Sequence, residues 1–345
     1  MSARPSAFWA ANEAKHRELI AAGLNDLECA TELGCTVAAA RQKRQSYGLI
    51  SAPESVIRPS IQRPRLGHVL SLDPAPFAVP IPRPARRVGE TPRRTVVYGD
   101  THFPHHDQQS LDILFAVIKD VRPDTIINLG DCADCYSISA YDKDPNRIHG
   151  LQDEIDMVRA HLHQVAQLAP EAQRYYLEGN HEDRLRRLIW TLPGTASELA
   201  KLRSFQQAMT WPSLLGLTEI GWSFVPSVGQ ARYSILPRII TKHGTVVQKW
   251  SGMSAKGEWE RYGQSGISGH VHRLGRFYSS DRNGAHTWVE AGCTCETNPR
   301  YCEDPNWQNG LVVIEHSKDG SRFEMHLIYV QDGRALWRGQ DYKAA

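Results

Sequence analysis

The chain has 345 residues, of which 41% are hydrophobic and 23% charged, and its mean hydropathy is −0.45. That is the composition of a folded protein in water, with no run near the roughly 18 apolar residues of a membrane span, and residues 1–15 lack the charged-then-apolar layout of a secretion signal. A cytoplasmic protein without a membrane partner is expected. The net charge of +2 conceals two unlike parts: residues 1–98 hold 14 Lys/Arg against 8 Asp/Glu, and the remainder 26 against 30. Such asymmetry points to a polyanionic partner for the first part. Seven cysteines fit a reducing compartment better than a disulfide framework.

In chain order, the pattern predicts a helix over Trp9–Ala22, stopped by Gly23. Asn25 and Glu28 have the spacing of a capping box for a second helix ending at Gly34, and Thr36 caps a third that runs to about Tyr47. The third carries Arg41, Lys43 and Arg44. A short helix, a glycine turn and a basic helix resemble a helix-turn-helix, so residues 1–50 are expected to contact DNA; a protein-interaction module is the alternative. Residues 51–94 contain nine of the 20 prolines and end in Arg83, Arg86, Arg87, Arg93 and Arg94. They read as a semi-rigid linker, with a phosphate-tracking arm equally open.

From residue 95 onward strands alternate with helices. Strands are predicted at Thr95–Tyr98, Thr125–Leu129 and Tyr175–Glu178, and helices at Ser110–Asp120 and Leu151–Leu168. This alternation implies a parallel sheet with covered faces. A hairpin is expected from 311–315 and 323–330 around Lys318-Asp319-Gly320.

The chemistry gathers at the ends of those three strands. They close on Gly99-Asp100-Thr101-His102, on Gly130-Asp131-Cys132-Ala133-Asp134 and on Gly179-Asn180-His181-Glu182. Groups beyond the carboxyl ends of parallel strands face a common crevice, and glycine permits the tight turn that aims them. Lys242-His243-Gly244 and Gly269-His270-Val271-His272 follow, and His243 is the only histidine between His181 and His270. Carboxylate, amide and imidazole donors suit manganese, iron or zinc rather than a thiolate-bound zinc.

These blocks, in this order, closely resemble the calcineurin-like metallophosphoesterases over about 95–275. The resemblance implies a four-layer α-β-β-α sandwich over 95–345. It implies two divalent cations, manganese first, with zinc, iron, nickel or magnesium as alternatives. Asp100, His102 and His272 would hold one cation, Asn180, His243 and His270 the other, and Asp131 would bridge. A hydroxide between the cations would attack phosphorus in line with the leaving group. His181 would be the proton donor to the leaving oxygen or a clamp on phosphate, with Asp134 holding its tautomer and Glu182 accepting behind them. The small helical head on such an esterase resembles bacteriophage and prophage proteins.

The protein phosphatases of this superfamily carry a phosphate-gripping arginine after the second aspartate of the middle block, where this chain has Cys135. Arg184, Arg186 and Arg187 are candidate replacements or else ordinary helix charges, with Arg184 the one assigned to substrate alongside Asn180 and His181. His105 and His106 either line the mouth or occupy an exposed turn. The Cys132-x-x-Cys135 pair is explained by the metal block rather than by redox or zinc chemistry. Tyr301 and Trp307 read as core packing rather than base-stacking groups. The function that follows is a phosphodiesterase or nuclease acting on DNA. The alternatives are a phosphomonoesterase or cyclic-nucleotide phosphodiesterase, and a non-catalytic DNA-binding protein, which a complete ligand set disfavours. A homo-oligomer is left open.

Overall fold

The computed structural model describes residues 6–47, 91–227, 233–299 and 302–345, in two units that divide between Pro84 and Ala85. In the first unit, α1 (Ser6–Ala21), α2 (Asp26–Leu33) and α3 (Val37–Ser46) end where the glycines and caps predict. Asn25 Oδ1 accepts from the Glu28 amide at 3.0 Å while Glu28 Oε2 accepts from the Asn25 amide at 2.8 Å, a reciprocal cap. The buried core is small: Cys29, Ala30 and Ala40, with Leu19, Ile20 and Val37 packed on it. Ion pairs reinforce it. Arg44, almost wholly buried, sets Nε 2.8 Å from Asp26 Oδ1 and donates to the Leu24 carbonyl at 2.6 Å. Lys43 pairs with Glu13 at 2.9 Å, and Arg41 with Asp26 at 3.1 Å.

The third helix is therefore not a uniformly solvated basic face. Arg44 points inward because the module needs a partner for the buried Asp26. The exposed stripe of α3 is Ala38, Arg41, Gln42 and Gln45. The proline-rich reading falls largely on residues 48–90, outside the described residues. Its last two arginines, Arg93 and Arg94, belong to a strand instead.

In the second unit β1 (Arg93–Tyr98), α4 (Gln108–Val121), β2 (Thr125–Asn128), α5 (Leu151–Leu168) and β3 (Gln173–Leu177) alternate as predicted. Four helices, α6 (Asp183–Trp190), α7 (Ala196–Ala200), α8 (Arg203–Ala208) and α9 (Trp211–Leu214), lead to β4 (Ser223–Val225). There follow β5 (Tyr233–Leu236), β6 (Ile239–Lys242), α10 (Met253–Tyr262), β7 (Ser265–Ser268), β8 (Leu274–Asp281) and β9 (Gly284–Ala291). The predicted hairpin is β10 (Gly310–His316) and β11 (Phe323–Tyr329), and β12 (Arg334–Trp337) with β13 (Gln340–Lys343) closes the chain.

The first sheet has the order β11-β10-β1-β2-β3-β4 and the second β5-β6-β7-β9-β8. The parallel arrangement expected from the alternation holds for the strands that carry it. β1 to β4 are parallel, but β1 also pairs antiparallel with β10, so the C-terminal hairpin completes a mixed sheet.

Strand periodicity then dictates the layers. Along β1, β2 and β10, Val96, Tyr98, Ile126, Leu311 and Val313 pack toward α4 and α5. Their neighbours Val97, Ile127, Val312 and Ile314 pack toward Ile239, Ile267 and Val289 of the second sheet. On that sheet's far side Ile240 and Trp288 meet Ala255 of α10. The cores thus stack as helices, sheet, sheet, helix. The loops beyond the strand ends meet along one edge.

Candidate metal centre

Asp100 and His102 follow β1, Asp131 and Asp134 follow β2, Asn180 and His181 follow β3, and His243 follows β6. His270 and His272 follow β7. Five of these residues occupy the left-handed backbone region: Asp100 (φ 50°), His102 (50°), Asp131 (49°), His270 (71°) and His272 (55°). Each such non-glycine position costs on the order of 1–3 kcal/mol and persists only where its surroundings over-determine it. The loops bear this strain while turning their side chains back over the sheet edge.

Those side chains converge in two groups. Ligand atoms of Asp100, His102 and His272 lie within 4.8 Å of one another, and so do those of Asp131, His243 and His270. In the first, His102 Nε2 is 3.1 Å from His272 Nε2, and His272 Nε2 is 3.3 Å from Asp100 Oδ1. In the second, His243 Nε2 is 3.0 Å from Asn180 Oδ1, 3.2 Å from His270 Nδ1 and 3.2 Å from Asp131 Oδ2. The same Asp131 oxygen is 3.9 Å from His102 Nε2, so it stands between the groups. All seven residues named for metal binding are brought together.

The electrostatics suit a cation. Burial alone would raise the Asp131 and Asp100 carboxyls. The imidazoles of His243 and His181 around Asp131, and His272 beside Asp100, hold both below the usual carboxylate range. Burial would lower His243, yet Asp131 and then Asp100 raise it to about 10. His102, buried and beside His181, is lowered to about 4 and presents a neutral imidazole. Oxygen and nitrogen donors with buried negative charge at their centre fit divalent cations.

His181 lies beside this cluster, its Nε2 3.8 Å from Asp131 Oδ2. Its Nδ1 is 2.7 Å from the backbone carbonyl of Asp134, nearer than the 3.4 Å to that residue's carboxylate. The Asp134 main chain thus holds the Nδ1 proton most closely, and the carboxylate expected in that role stands beside it as a second partner. The carboxylate also meets His102 Nδ1, at 3.3 Å, and the Arg147 guanidinium, at 2.6 Å. Burial would raise Asp134, but hydrogen bonds from His102, His181 and Arg147 hold it well below the carboxylate range.

The three candidate arginines separate. Arg184 donates to the Asp134 carbonyl at 2.7 Å and lies 3.0 Å from His181 Nε2, inside the site. Arg186 and Arg187 are spent on Asp183, and Arg186 also on Glu178. Arg147 escaped sequence reasoning, because it is 13 residues past Asp134 in an irregular loop with no motif around it.

Glu182 is the acceptor behind the ligand residues that was expected, and it acts through their backbone amides. Its two oxygens take the amides of Asp131 (2.9 Å), Cys132 (2.8 Å) and Gly179 (2.9 Å) and the Tyr176 hydroxyl (2.7 Å). Gly179 is needed for space rather than for a turn, since a Cβ there would overlap the Asp131 carboxylate. Cys132 and Cys135 are buried free thiols. Cys293 and Cys295 set their buried thiols within 4.8 Å of each other and of a His272 ring nitrogen. His105 approaches Asp134 to 4.0 Å, whereas His106 packs on Phe103. Tyr301 lies outside the described residues. Trp307, expected in the core, is instead half-buried at the rim, edge-on to His272 with centroids 4.2 Å apart.

The profile of the calcineurin-like phosphoesterases matches residues 93–274, and the chain belongs to that family. It is a metal-dependent phosphoric ester hydrolase. It is 27% identical over 256 residues to the Gene 54 protein of Mycobacterium phage D29, covering 70% of this chain and 95% of that one. To the Gene 54 protein of Mycobacterium phage L5 it is 28% identical over 263 residues, with the same coverage. A metallophosphoesterase from Sphaerobacter thermophilus aligns at 16% identity with a TM-score of 0.35, covering 69% of this chain and 88% of that chain. No helix among the described residues is long and apolar enough to cross a membrane.

Proposed function

We propose that the chain is a phosphodiesterase acting on DNA through two divalent cations, manganese first among them. Asp100, His102 and His272 would hold one, Asn180, His243 and His270 the other, and Asp131 would be shared. The observation that carries this is the position of Asp131 Oδ2, 3.2 Å from His243 Nε2 and 3.9 Å from His102 Nε2. Cations bound there supply Lewis-acid polarisation of the phosphoryl oxygen and acidify a water.

The chain's own residues do the rest. The neutral His102 keeps Nε2 free because its Nδ1–H donates to Asp134. His181 donates Nδ1–H to the Asp134 carbonyl, and its Nε2, between Arg184 Nη2 and Asp131, is the atom that would pass a proton to the leaving oxygen. Arg184 adds a fixed positive charge beside it for a non-bridging phosphate oxygen or the leaving group.

The basic balance of residues 1–98 and the exposed α3 side chains Gln42 and Gln45, beside an Arg41 that also pairs with Asp26, support DNA as the substrate. Arg and Gln are side chains that read guanine and adenine edges, and a tethered head raises local substrate concentration. A monoesterase reading draws on Arg184, a cation beside His181 that would suit a dianionic phosphate. Cleavage of single- and double-stranded DNA, beside bis-p-nitrophenyl and p-nitrophenyl phosphate, tests the choice. Hydrolysis of the monoester alone, with DNA untouched under several divalent metals, would overturn it.

A further inference from the structure

The ligand cluster is the floor of a cleft of about 620 Å³, within the range of small-ligand sites and too small for a duplex. Its walls carry aromatic side chains that the chemistry above leaves unused. Tyr141 rises from the loop before α5 and is 73% exposed, an unusual setting for a large ring that lines a cleft. The loop is pinned rather than loose. Lys143 Nζ donates to the carbonyls of Tyr136 and Ser139 at 2.6 and 2.7 Å, and the Tyr136 hydroxyl donates to the Asp142 carbonyl at 2.6 Å. Trp307 stands on another wall, fixed against His272. The Arg184 guanidinium lies 6.0 Å from the Tyr141 ring centre, so positive charge and an aromatic face adjoin next to His181.

Resting on the phosphodiesterase reading, we infer that this cleft binds an unpaired nucleobase next to the scissile phosphate, stacked on Tyr141 with Trp307 closing the opposite side. Anionic phosphate is drawn to the arginines and the metal floor, while the base supplies a flat face for the tyrosine. Stacking of this kind contributes about 1–3 kcal/mol per base and tolerates any sequence. A paired base keeps both faces inside the duplex and has none to offer. The substrate class is therefore single-stranded nucleic acid or a free nucleotide, and the head on residues 1–50 does not decide which strand enters.

The test is inhibition of bis-p-nitrophenyl phosphate hydrolysis by the full chain, using short oligothymidylate, an abasic strand with the same number of phosphates, and thymidine monophosphate. Oligothymidylate should inhibit at least roughly 5-fold more tightly than the abasic strand, the lower end of one stacked base. That ratio should collapse toward one in Tyr141→Ala and survive in Tyr141→Phe, which keeps the ring. Because the ratio is read within each variant, a general loss of activity does not mimic it. Thymidine monophosphate matching oligothymidylate supports the base site with a nucleotide as occupant; a weaker monophosphate supports a strand. Equal inhibition by thymidylate and abasic strands, or a ratio untouched in both Tyr141→Ala and Trp307→Ala, overturns the inference. DNA cleaved without base preference would leave the phosphodiesterase reading standing, whereas absent diester hydrolysis would remove that reading.

Discussion

His102 and Asp134 are joined through Nδ1 and Oδ1 at 3.3 Å, and this one contact ties a ligand residue to a residue of the neighbouring strand's loop. The bond fixes the proton on Nδ1 and leaves Nε2 as the donor atom. Asp134→Asn keeps an acceptor and loses the charge. Turnover of a small diester and metal affinity should both fall roughly 10- to 100-fold, as for partners behind metal-bound imidazoles. Kinetics across a manganese titration would show it, and an unchanged titration would refute the role.

His181 has a ring nitrogen within 4.8 Å of His102 and Asp131 ligand atoms, and the proposed scheme gives it the proton rather than a cation. His181→Ala should lower kcat roughly 10²- to 10⁴-fold, the range of a lost general acid, while the metal content of the chain stays as it was. Elemental analysis beside steady-state kinetics separates the two readouts. Loss of metal along with activity would make His181 a ligand instead.

Asp131 is the shared carboxylate in the proposed scheme. Asp131→Asn should reduce bound manganese from two per chain to one or fewer, whereas Asn180→Ala should weaken only the group around His243 and His270. Retention of both cations by Asp131→Asn would remove the bridge.

Gly179 faces the Asp131 carboxylate too closely for any side chain. Gly179→Ala should cost about 1–3 kcal/mol by overpacking, a drop of several degrees in Tm for a unit of this size, and should disturb metal binding as Asp131 is displaced. A melt and metal content equal to those of the unmodified chain would contradict the geometry.

Glu154 is buried beneath the Asp134 loop and accepts from the Cys135 amide at 2.5 Å. Burial is the main cause that raises its carboxyl from 4.5 to about 7. A raised folded value means the folded chain holds the proton more tightly than the unfolded one. The resulting stabilisation is complete below pH 4.5 and is lost as pH rises through 7, by about 3 kcal/mol at most. Glu154→Gln should flatten that part of the stability curve in denaturant titrations. An identical slope in both proteins would refute the assignment.

Much of this was legible in the sequence. The strand-glycine-aspartate blocks, both helices between the first three strands and the reciprocal Asn25–Glu28 cap depend on neighbours a few residues apart, where local periodicity and capping chemistry operate. So do the candidate ligands, since each lies in a short motif at a strand end. The hairpin of β10 and β11 was legible as well, but nothing local shows that β10 returns to pair antiparallel with β1.

What remained hidden was long-range or a matter of direction. Arg44 reads as a surface charge until the fold places the buried Asp26 beside it. Trp307 reads as core until the chain sets it on His272, 35 residues earlier. Arg147 and Tyr141 have no sequence signal, for their meaning comes from a loop that folds over the metal residues. The sequence by itself determined which atoms are available to bind a cation and to move a proton. Only the tertiary structure decided which charges are free, which are spent on one another, and which rings face the site, because those outcomes depend on burial and partners from distant segments.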